Sequence, residues 1–223
     1  KRKFTKDILL IKHVKDVLDR GDIPVIYPEA RYANVGTNSH LTPSIAKLAK
    51  LLKVPVVTIN MHGNYLQQPI WNLKERKGAR LKAELKCVVR PEEVGKLSVD
   101  EIFSRISNEL QYDEYKYQLE NKISIKDEWR AEGLHYPLYR CRKCGKDFAM
   151  TSSGSKITCK FCGDSYEMDE YGVLNSTEGK KIHIPDWYEW QRLECQKYVK
   201  ELSLTKRSYK IKRNYIFIFL CFL

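Results

Sequence analysis

The chain has 223 residues, of which 40 are basic and 28 acidic, so that its net charge is +12 at pH 7. Its 43% hydrophobic content is that of a globular protein rather than a disordered one, and its length allows one ordinary core with a small satellite domain. The sequence has no apolar run of the roughly 20 residues that a membrane-spanning helix needs. The positive charge suits an anionic partner, whether a phosphorylated lipid, a membrane surface or a nucleic acid.

The chain begins with a basic cluster, Lys1-Arg2-Lys3, and a predicted amphipathic helix from Thr5 to Arg20. Apolar residues recur in this segment at helical spacing. Gly21 follows the last turn, where a left-handed residue commonly ends a helix. The segment therefore predicts a helix with one buried face.

The next segment predicts a strand that ends at a polar loop. Ile23 to Tyr27 is an apolar, β-rich run that stops at Pro28, and Glu29 and Arg31 follow directly. In open α/β sheets, ligands bind beyond the carboxyl ends of the strands. Glu29 and Arg31 are therefore candidate binding residues.

A helix and a second strand follow this loop. Thr42 is placed to cap the helix and Pro43 to occupy its first position. Val54 to Ile59 then forms another β-rich run. A strand, a helix and a strand in this order predict a parallel pair, and the fold class is therefore α/β.

The loop and the second strand resemble a known family, the 1-acyl-glycerol-3-phosphate (lysophosphatidate) acyltransferases. Tyr27-Pro28-Glu29-Ala30-Arg31-Tyr32 is similar to the family's Phe-Pro-Glu-Gly-Thr-Arg-Ser block and is one residue shorter. Val54-Pro55-Val56-Val57 is similar to its later Val-Pro-Val block. Arg2 stands about where the family has an arginine before these blocks, and the resemblance covers about residues 1 to 90.

The resemblance implies that Glu29 and Arg31, with Arg2 as a third residue, bind the acceptor 1-acyl-glycerol 3-phosphate. It also implies acyl-CoA or an acyl-carrier protein as donor. A guanidinium binds a phosphate through paired, charge-assisted hydrogen bonds, whereas Glu29 would orient Arg31 or accept a hydrogen bond from a glycerol hydroxyl. The alternative is an exposed salt bridge between Glu29 and Arg31 that contributes little.

The family's catalytic motif is a His followed after four residues by an Asp, and this chain lacks it. The residues five positions after the histidines are Leu18, Ile45, Gln67, Arg140 and Tyr188. In the family, the His is the general base that takes the proton of the acceptor hydroxyl, and the Asp orients it. Because the chain also begins at Lys1, we expect it to be an N-terminally truncated piece that transfers no acyl group alone.

Three further features of the first half have local interpretations. Trp71, followed by Lys74, Arg76 and Lys77, favours a tryptophan packed under a basic loop over a membrane anchor. Residues 80 to 89 alternate as a half-buried strand does, which predicts that Cys87 points into the core. Ser98 to Glu101 is a capping box, and it opens a helix with the inward residues Ile102, Phe103, Ile106 and Leu110.

The strongest motif of the sequence is a pair of Cys-x-x-Cys knuckles, each followed by a glycine. Its cysteines are Cys141, Cys144, Cys159 and Cys162. Four thiolates in two such turns are the ligands of a structural Zn²⁺, and full coordination leaves no position for a catalytic water. The spacing predicts a zinc ribbon from about Leu138 to Leu174 in a reducing compartment.

A second class of function stays open, a non-enzymatic zinc-ribbon adaptor or nucleic-acid-binding protein. Residues 136 to 175 hold six basic and five acidic side chains, a net charge of +1. A face that neutralises phosphates should be clearly basic. This balance disfavours a nucleic-acid partner and favours a scaffold or protein-contact role.

The sequence as a whole predicts five segments. They are an acyltransferase-like domain (1–97) without its catalytic N-terminal part, a helical connector (98–137), a zinc ribbon (138–175), a C-terminal helix (176–205) and a basic, then apolar tail (206–223). The combined expectation is part of an acyltransferase of phospholipid biosynthesis. We expect it in the cytoplasm, peripheral on the inner face of the membrane.

Overall fold

The computed structural model describes residues 8 to 204, with the side chains of residues 8 to 201. The predicted basic cluster with Arg2 and the predicted tail (206–223) lie outside these residues. The chain divides into two compact units. The first is formed by residues up to Ile70 together with Ala79–Tyr117, and the second by Trp71–Gly78 together with the chain from Gln118 onward.

The first unit is a mixed α/β unit with one small antiparallel sheet. Its elements are α1 (Ile8–Asp19), α2 (Ser44–Leu52), β1 (Val56–His62), α3 (Asn64–Gln67), β2 (Lys82–Val89), α4 (Val99–Glu109) and the start of α5 (Glu114–Glu120). Strands β1 and β2 pair antiparallel, with Ile59 opposite Leu85 and an irregularity between Val56 and Val57.

The predicted parallel pair is wrong. Ile23 to Tyr27 is not a strand, and its Ile23 and Val25 side chains are 87% and 70% exposed. A strand exists only through hydrogen bonds to a neighbouring strand, and within residues 8–204 the sheet of β1 has β2 as its only other member. A β-rich local sequence without such a partner remains an extended coil.

Helix α2 begins one residue later than the sequence predicts. Pro43 is the N-cap and makes no side-chain cap bond, while the Thr42 hydroxyl bonds the Ser44 hydroxyl. At the other end, Lys53 adopts a left-handed conformation with φ 54°, and the helix closes there. The prediction of a helix between the loop and β1 is confirmed, but the prediction that Thr42 caps it is wrong.

The core of the first unit lies where α2 and α4 meet the end of β2. Its buried residues are Ala46, Ala49, Val88, Val89, Val94, Ile102 and Ile106. The predicted capping box of α4 is confirmed, since Glu101 N donates to Ser98 Oγ at 3.2 Å and Ser98 N donates to Glu101 Oε2 at 2.7 Å. Phe103 and Leu110 pack against the core as predicted.

One face of the sheet is exposed, and the prediction that Cys87 points into the core is wrong. Thr58 is buried on the opposite face, and Asn60 on that face donates to the carbonyl of Glu109 at the end of α4. Helix α4 covers the face with Thr58 and Asn60. The apolar residues that alternate with them lie on the uncovered face. These exposed residues are Val57, Ile59, Met61, Leu85 and Cys87.

The second unit contains a small antiparallel meander followed by a long helix. Its elements are β3 (Met150–Ser153), β4 (Lys156–Cys159), β5 (Ser165–Met168), β6 (Leu174–Ser176), β7 (Lys181–Ile182) and α6 (Ile184–Leu204). The strands pair in sequence order. The turn predicted between Ser152 and Ser155 joins β3 to β4, and short strands occur where the ribbon motif predicts them.

Two tryptophans lie in the interior of the second unit. Trp71 is 8% exposed beneath the Arg76 guanidinium, which lies 4.7 Å from its ring centre, and this confirms the packed interpretation. Trp187 in the first turn of α6 is fully buried and donates from Nε1 to the Arg140 carbonyl at 2.9 Å. None of the helices within residues 8–204 combines the length and the apolar character needed to cross a bilayer.

Candidate functional site

The same turn occurs twice around the cysteines. Gly145 N donates to the carbonyl of Cys141, and Gly163 N to that of Cys159, both at 3.0 Å. Both glycines have positive φ, 69° and 73°, where a side chain would be strained. The two knuckles therefore have matching backbones.

Four sulfur atoms meet between the knuckles. The Sγ atoms of Cys141, Cys144, Cys159 and Cys162 all lie within 4.8 Å of one another. The Sγ atoms of Cys141 and Cys162 lie 3.6 Å apart, and those of Cys144 and Cys159 lie 3.7 Å apart. A tetrahedral ion with Zn–S bonds of about 2.3 Å requires S–S distances of about 3.8 Å. The four cysteines are close enough together to bind a metal ion.

The cysteines of the cluster differ in their acidity. Burial raises the pKa of the Cys141 thiol to about 12. Burial also disfavours the Cys159 thiolate, but backbone N–H groups of Cys162 and Phe161 outweigh it and lower the pKa of Cys159 to about 7. Cys159 thus supplies a thiolate more readily than Cys141.

The predicted binding loop is held by Glu29 and does not contain the alternative salt bridge. Pro28 starts a tight turn in which Ala30 N donates to the Tyr27 carbonyl at 3.2 Å. Glu29 Oε2 accepts a hydrogen bond from Ser39 N at 2.8 Å, so this carboxylate ties the two ends of the loop together. Arg31 is exposed and has no ion-pair partner among residues 8–204.

This loop is fixed to the segment that begins α5. Glu114 N donates to the Gly36 carbonyl at 2.9 Å, and Tyr65 Oη donates to the Asn34 carbonyl at 2.9 Å. Thr37 and Asp113 form an isolated antiparallel bridge beside these bonds. The loop that carries Arg31 is thus a defined part of the first unit.

A histidine and a buried carboxylate lie beside the fixed end of this loop. His62 ends β1, and its Nδ1 lies 3.1 Å from Glu114 Oε1. Glu114 is 1% exposed, and its other oxygen accepts a hydrogen bond from Gly63 N at 2.6 Å. The imidazole also stacks on Tyr117, with ring centres 4.3 Å apart. Burial raises the pKa of Glu114, while the bonds from Gly63 and His62 act in the opposite direction.

Tyr112 connects the loop and this pair electrostatically. Burial raises its pKa, the carboxylates of Glu29 and Glu114 raise it further, and Arg31 lowers it. All three charged groups therefore act on one hydroxyl. Glu29, Arg31 and Glu114 thus each interact electrostatically with Tyr112.

Sequence reasoning did not include Glu114 among the candidate residues. Glu114 is separated from His62 by 52 positions, and no spacing rule connects residues that far apart. A usable signal was His62 itself, because it follows a β-rich run at a strand end. The third predicted residue, Arg2, lies outside the described residues. Comparison of the chain with protein-family models, curated proteins and solved structures finds no match.

Proposed function

We propose that the four cysteines of the second unit bind one structural Zn²⁺ ion. The observation that carries this proposal is the mutual approach of four sulfur atoms to within 4.8 Å. A set of four thiolates suits Zn²⁺ and leaves no open coordination position, so the ion's role is structural. Iron with four cysteines is the competing metal, and metal analysis separates the two.

Zinc would supply much of the folding free energy of the ribbon. The strands of this module have two to four residues each, and so small a core depends on a metal or another cross-link. We expect the purified chain to contain one zinc per molecule by elemental analysis. Replacing Cys144 or Cys162 with Ser should remove the zinc, whereas Cys87→Ser and Cys195→Ser should leave it in place. Zinc that survives Cys144→Ser and Cys162→Ser together would refute the proposal.

For the first unit, we propose a role in a glycerolipid acyltransferase. The loop would bind the acceptor, 1-acyl-glycerol 3-phosphate, and the acyl group would come from acyl-CoA or an acyl-carrier protein. The supporting observation is that Arg31 is exposed and has no ion-pair partner among residues 8–204, while the neighbouring carboxylate of Glu29 is engaged by Ser39 N. An unpaired guanidinium on a fixed loop suits a phosphate monoester.

In this proposal the chain positions the acceptor rather than carrying out the whole reaction. In the transfer, the acceptor hydroxyl attacks the thioester carbonyl, the new ester bond forms, and the thiol leaves with a proton. The thioester is already activated, so the transfer needs no further cofactor. The chain lacks the family's His-x4-Asp motif, and we expect the purified chain to show no acyl transfer.

Calorimetric titration with a short-chain lysophosphatidate tests the acceptor site. Replacing Arg31 with Ala should weaken binding about tenfold to a hundredfold, because a charge-assisted hydrogen bond contributes about 1.5–3 kcal/mol. Arg20→Ala is the matched control, since Arg20 is an exposed arginine that pairs with Asp22 at 3.2 Å. Unchanged affinity in Arg31→Ala would contradict the proposal.

The rival function is a non-enzymatic adaptor or nucleic-acid-binding protein built on the ribbon. The acidic side chains of Asp164 and Asp169 in the ribbon accept hydrogen bonds from groups of the ribbon itself. Asp169 Oδ1 accepts hydrogen bonds from the backbone N–H groups of Tyr171 and Val173, at 2.9 and 3.0 Å, and Asp164 accepts one from Tyr166. Tight binding of the zinc-loaded chain to a labelled RNA or DNA oligonucleotide at physiological salt would favour this rival.

For localisation, we propose that the chain acts in the cytoplasm at the inner face of the membrane. The net charge of +12 supports attraction to an anionic lipid surface. Sedimentation with vesicles of anionic lipid, compared with vesicles of neutral lipid, measures this attraction directly.

A further inference from the structure

Two phenylalanine side chains are exposed at the end of the ribbon that carries the cysteine knuckles. Phe148 and Phe161 keep 68% and 62% of their surface exposed. The backbone N–H of Lys160 donates to the Ala149 carbonyl at 2.8 Å and so continues the pairing of β3 with β4 by one position. Phe148 precedes Ala149 and Phe161 follows Lys160. Both phenylalanines therefore leave the ribbon at the same end.

Phe148 adopts a backbone conformation that is unusual for an aromatic residue. Its φ of 53° lies in the left-handed region, which favours glycine and strains a large side chain. The ring stacks on Tyr139, with ring centres 5.2 Å apart, but most of it stays outside the core. Burial thus does not account for a phenylalanine at this position. Strain of this kind is common at binding surfaces.

Lysine side chains accompany the two rings. Lys146 Nζ lies 3.9 Å from the centre of the Phe161 ring, so the two knuckles meet at this contact. Lys143 and Lys160 are exposed, one in each knuckle. The three lysines have no ion-pair partner in the part of the chain that the structure describes. Their charges are therefore available to an anionic partner.

Two acidic side chains beside the knuckles already have partners. Asp147 pairs with Arg140 Nη1 at 3.2 Å, and Asp164 accepts a hydrogen bond from the Tyr166 hydroxyl at 2.8 Å. The exposed rings and the lysines together form one surface with a positive charge, which we call the knuckle patch. Its members are Lys143, Lys146, Phe148, Lys160 and Phe161.

The backbone of the knuckles suits a partly apolar surrounding. Gly145 N and Gly163 N donate within their turns, and Cys141 N donates to the Lys146 carbonyl at 3.1 Å. The Cys144 N atom lies 3.5 Å from Cys141 Sγ. An unpaired N–H group is costly wherever water is scarce. The knuckles can therefore enter a lipid headgroup layer with these N–H groups already paired.

We propose that the knuckle patch binds the surface of an anionic lipid bilayer. The rings of Phe148 and Phe161 insert at the boundary between headgroups and acyl chains, and the lysines contact lipid phosphates. The positive charge around two exposed rings is complementary to such a surface. This inference rests on the proposed location at the membrane, and it assigns the attachment to the second unit.

Charge and ring exposure favour lipid over a nucleic acid as the partner. Three lysines neutralise about three phosphates, whereas a protein that binds a duplex through its phosphates makes about six to ten such contacts. A bilayer needs fewer cations, because insertion of the rings adds apolar affinity that salt does not screen. Lys146 and Tyr139 also contact Phe161 and Phe148, respectively, which leaves less ring surface for stacked bases.

Sedimentation of the full chain with vesicles tests the proposal. Wild type should bind vesicles of phosphatidylcholine and phosphatidylglycerol in equal parts. Phe161→Ser should weaken this binding about tenfold, because the inserted ring supplies apolar affinity. Tyr198→Ser is the matched control and should bind as wild type does, since Tyr198 is 61% exposed on α6 and lies outside the patch.

The charged part of the patch has its own pair of variants. Lys160→Gln should weaken binding to the anionic vesicles about fivefold, because a lysine near such a surface is attracted by the lipid charge. Lys180→Gln is the control, since Lys180 is exposed and pairs with Glu178 at 2.9 Å outside the patch. It should change the binding less than Lys160→Gln does.

Phe148→Gly separates lipid contact from packing. Glycine relieves the strain at φ 53°, which offsets the flexibility that it adds to the unfolded chain, so the urea midpoint of the second unit should not fall. Vesicle binding should nevertheless weaken about tenfold. A ring needed only for packing would give the reverse result, a lower midpoint with unchanged vesicle binding.

The outcomes distinguish this inference from the location on which it rests. If wild type binds anionic vesicles and the variants Phe148→Gly, Phe161→Ser and Lys160→Gln bind them equally well, the inference is wrong and the location stands. If wild type binds no vesicles, both are wrong. If the variants lose affinity for a single-stranded RNA oligonucleotide but not for vesicles, the patch binds nucleic acid and the inference is wrong. Lys160→Gln decides even if a phenylalanine variant fails to fold.

Discussion

A backbone hydrogen bond joins Gly36 to Glu114, at a point where the chain leaves no room for a side chain on residue 36. Glu114 N donates to the Gly36 carbonyl at 2.9 Å, and a Cβ atom added to Gly36 would lie 3.1 Å from the Cβ atom of Glu114. The same added atom would lie 2.8 Å from the ring of Tyr65. The loop that carries Arg31 therefore reaches its position only with a glycine at residue 36.

Replacing Gly36 with Ala should destabilise the first unit by about 1–3 kcal/mol. Its φ of 72° is strained for alanine, and the added methyl would collide with two neighbours. Gly21→Ala is the matched control, because Gly21 has φ 80° but nothing within 4 Å of the added Cβ. Urea unfolding should show a larger loss for Gly36→Ala. Equal losses for the two variants would mean that the close contacts have no cost.

Two serines at α4 should respond differently to replacement by alanine, because Ser98 belongs to the capping box and Ser107 does not. Ser98→Ala should lower the free energy of unfolding by about 1 kcal/mol, because it removes the acceptor for Glu101 N. Ser107→Ala should be neutral or slightly stabilising, because its buried hydroxyl has no hydrogen-bond partner in the part of the chain that the structure describes. Urea unfolding of the two variants checks this contrast, and a larger loss for Ser107→Ala would contradict it.

The capping box also predicts a dependence of stability on pH. The backbone N–H of Ser98 is the main cause that lowers the pKa of Glu101 in the folded chain. A lowered pKa gives stability that is present above the unfolded pKa, about 4.3, and is lost as pH falls through the folded pKa. Wild type should exceed Glu101→Gln in stability at about pH 6, and the difference should shrink towards about pH 3. A difference that stays constant over this range would contradict the prediction.

Metal removal should be visible in tryptophan fluorescence. The chain has four tryptophans, and the second unit contains all of them, Trp71, Trp129, Trp187 and Trp190. Trp187 bonds to the carbonyl of Arg140, next to the proposed zinc ligand Cys141, and packs on Tyr166 with ring centres 4.9 Å apart. A zinc chelator should therefore shift the emission to longer wavelength, and added zinc should restore it. Unchanged emission after complete zinc removal would show that the ribbon folds without metal.

Local signals predicted the features that depend only on neighbouring residues. Ser98 and Glu101 are three positions apart, so their capping box could be predicted from the sequence alone. Strand pairing is different, because Ile23 to Tyr27 has the composition of a strand but pairs with no strand among the described residues. Burial of a sheet face is equally non-local, since α4 decides which side of β1 and β2 is covered.

The candidate sites also differ in whether they depend on local sequence or on long-range contacts. The cysteine knuckles are local turns, and their meeting could be expected from spacing alone. The His62–Glu114 pair joins a strand end to a helix start 52 residues later, and only the folded chain brings them together. Arg31 was a candidate through its motif, but only the folded chain shows that it lacks an ion-pair partner within residues 8–204 and that Ser39 N binds Glu29.

X-ray absorption at the zinc edge of the purified chain tests the metal centre most directly. A zinc ion held by the four cysteines should show four sulfur neighbours at about 2.3 Å and no nitrogen or oxygen neighbour. A shell with a nitrogen or oxygen neighbour, or with fewer than four sulfurs, would contradict a site formed by Cys141, Cys144, Cys159 and Cys162.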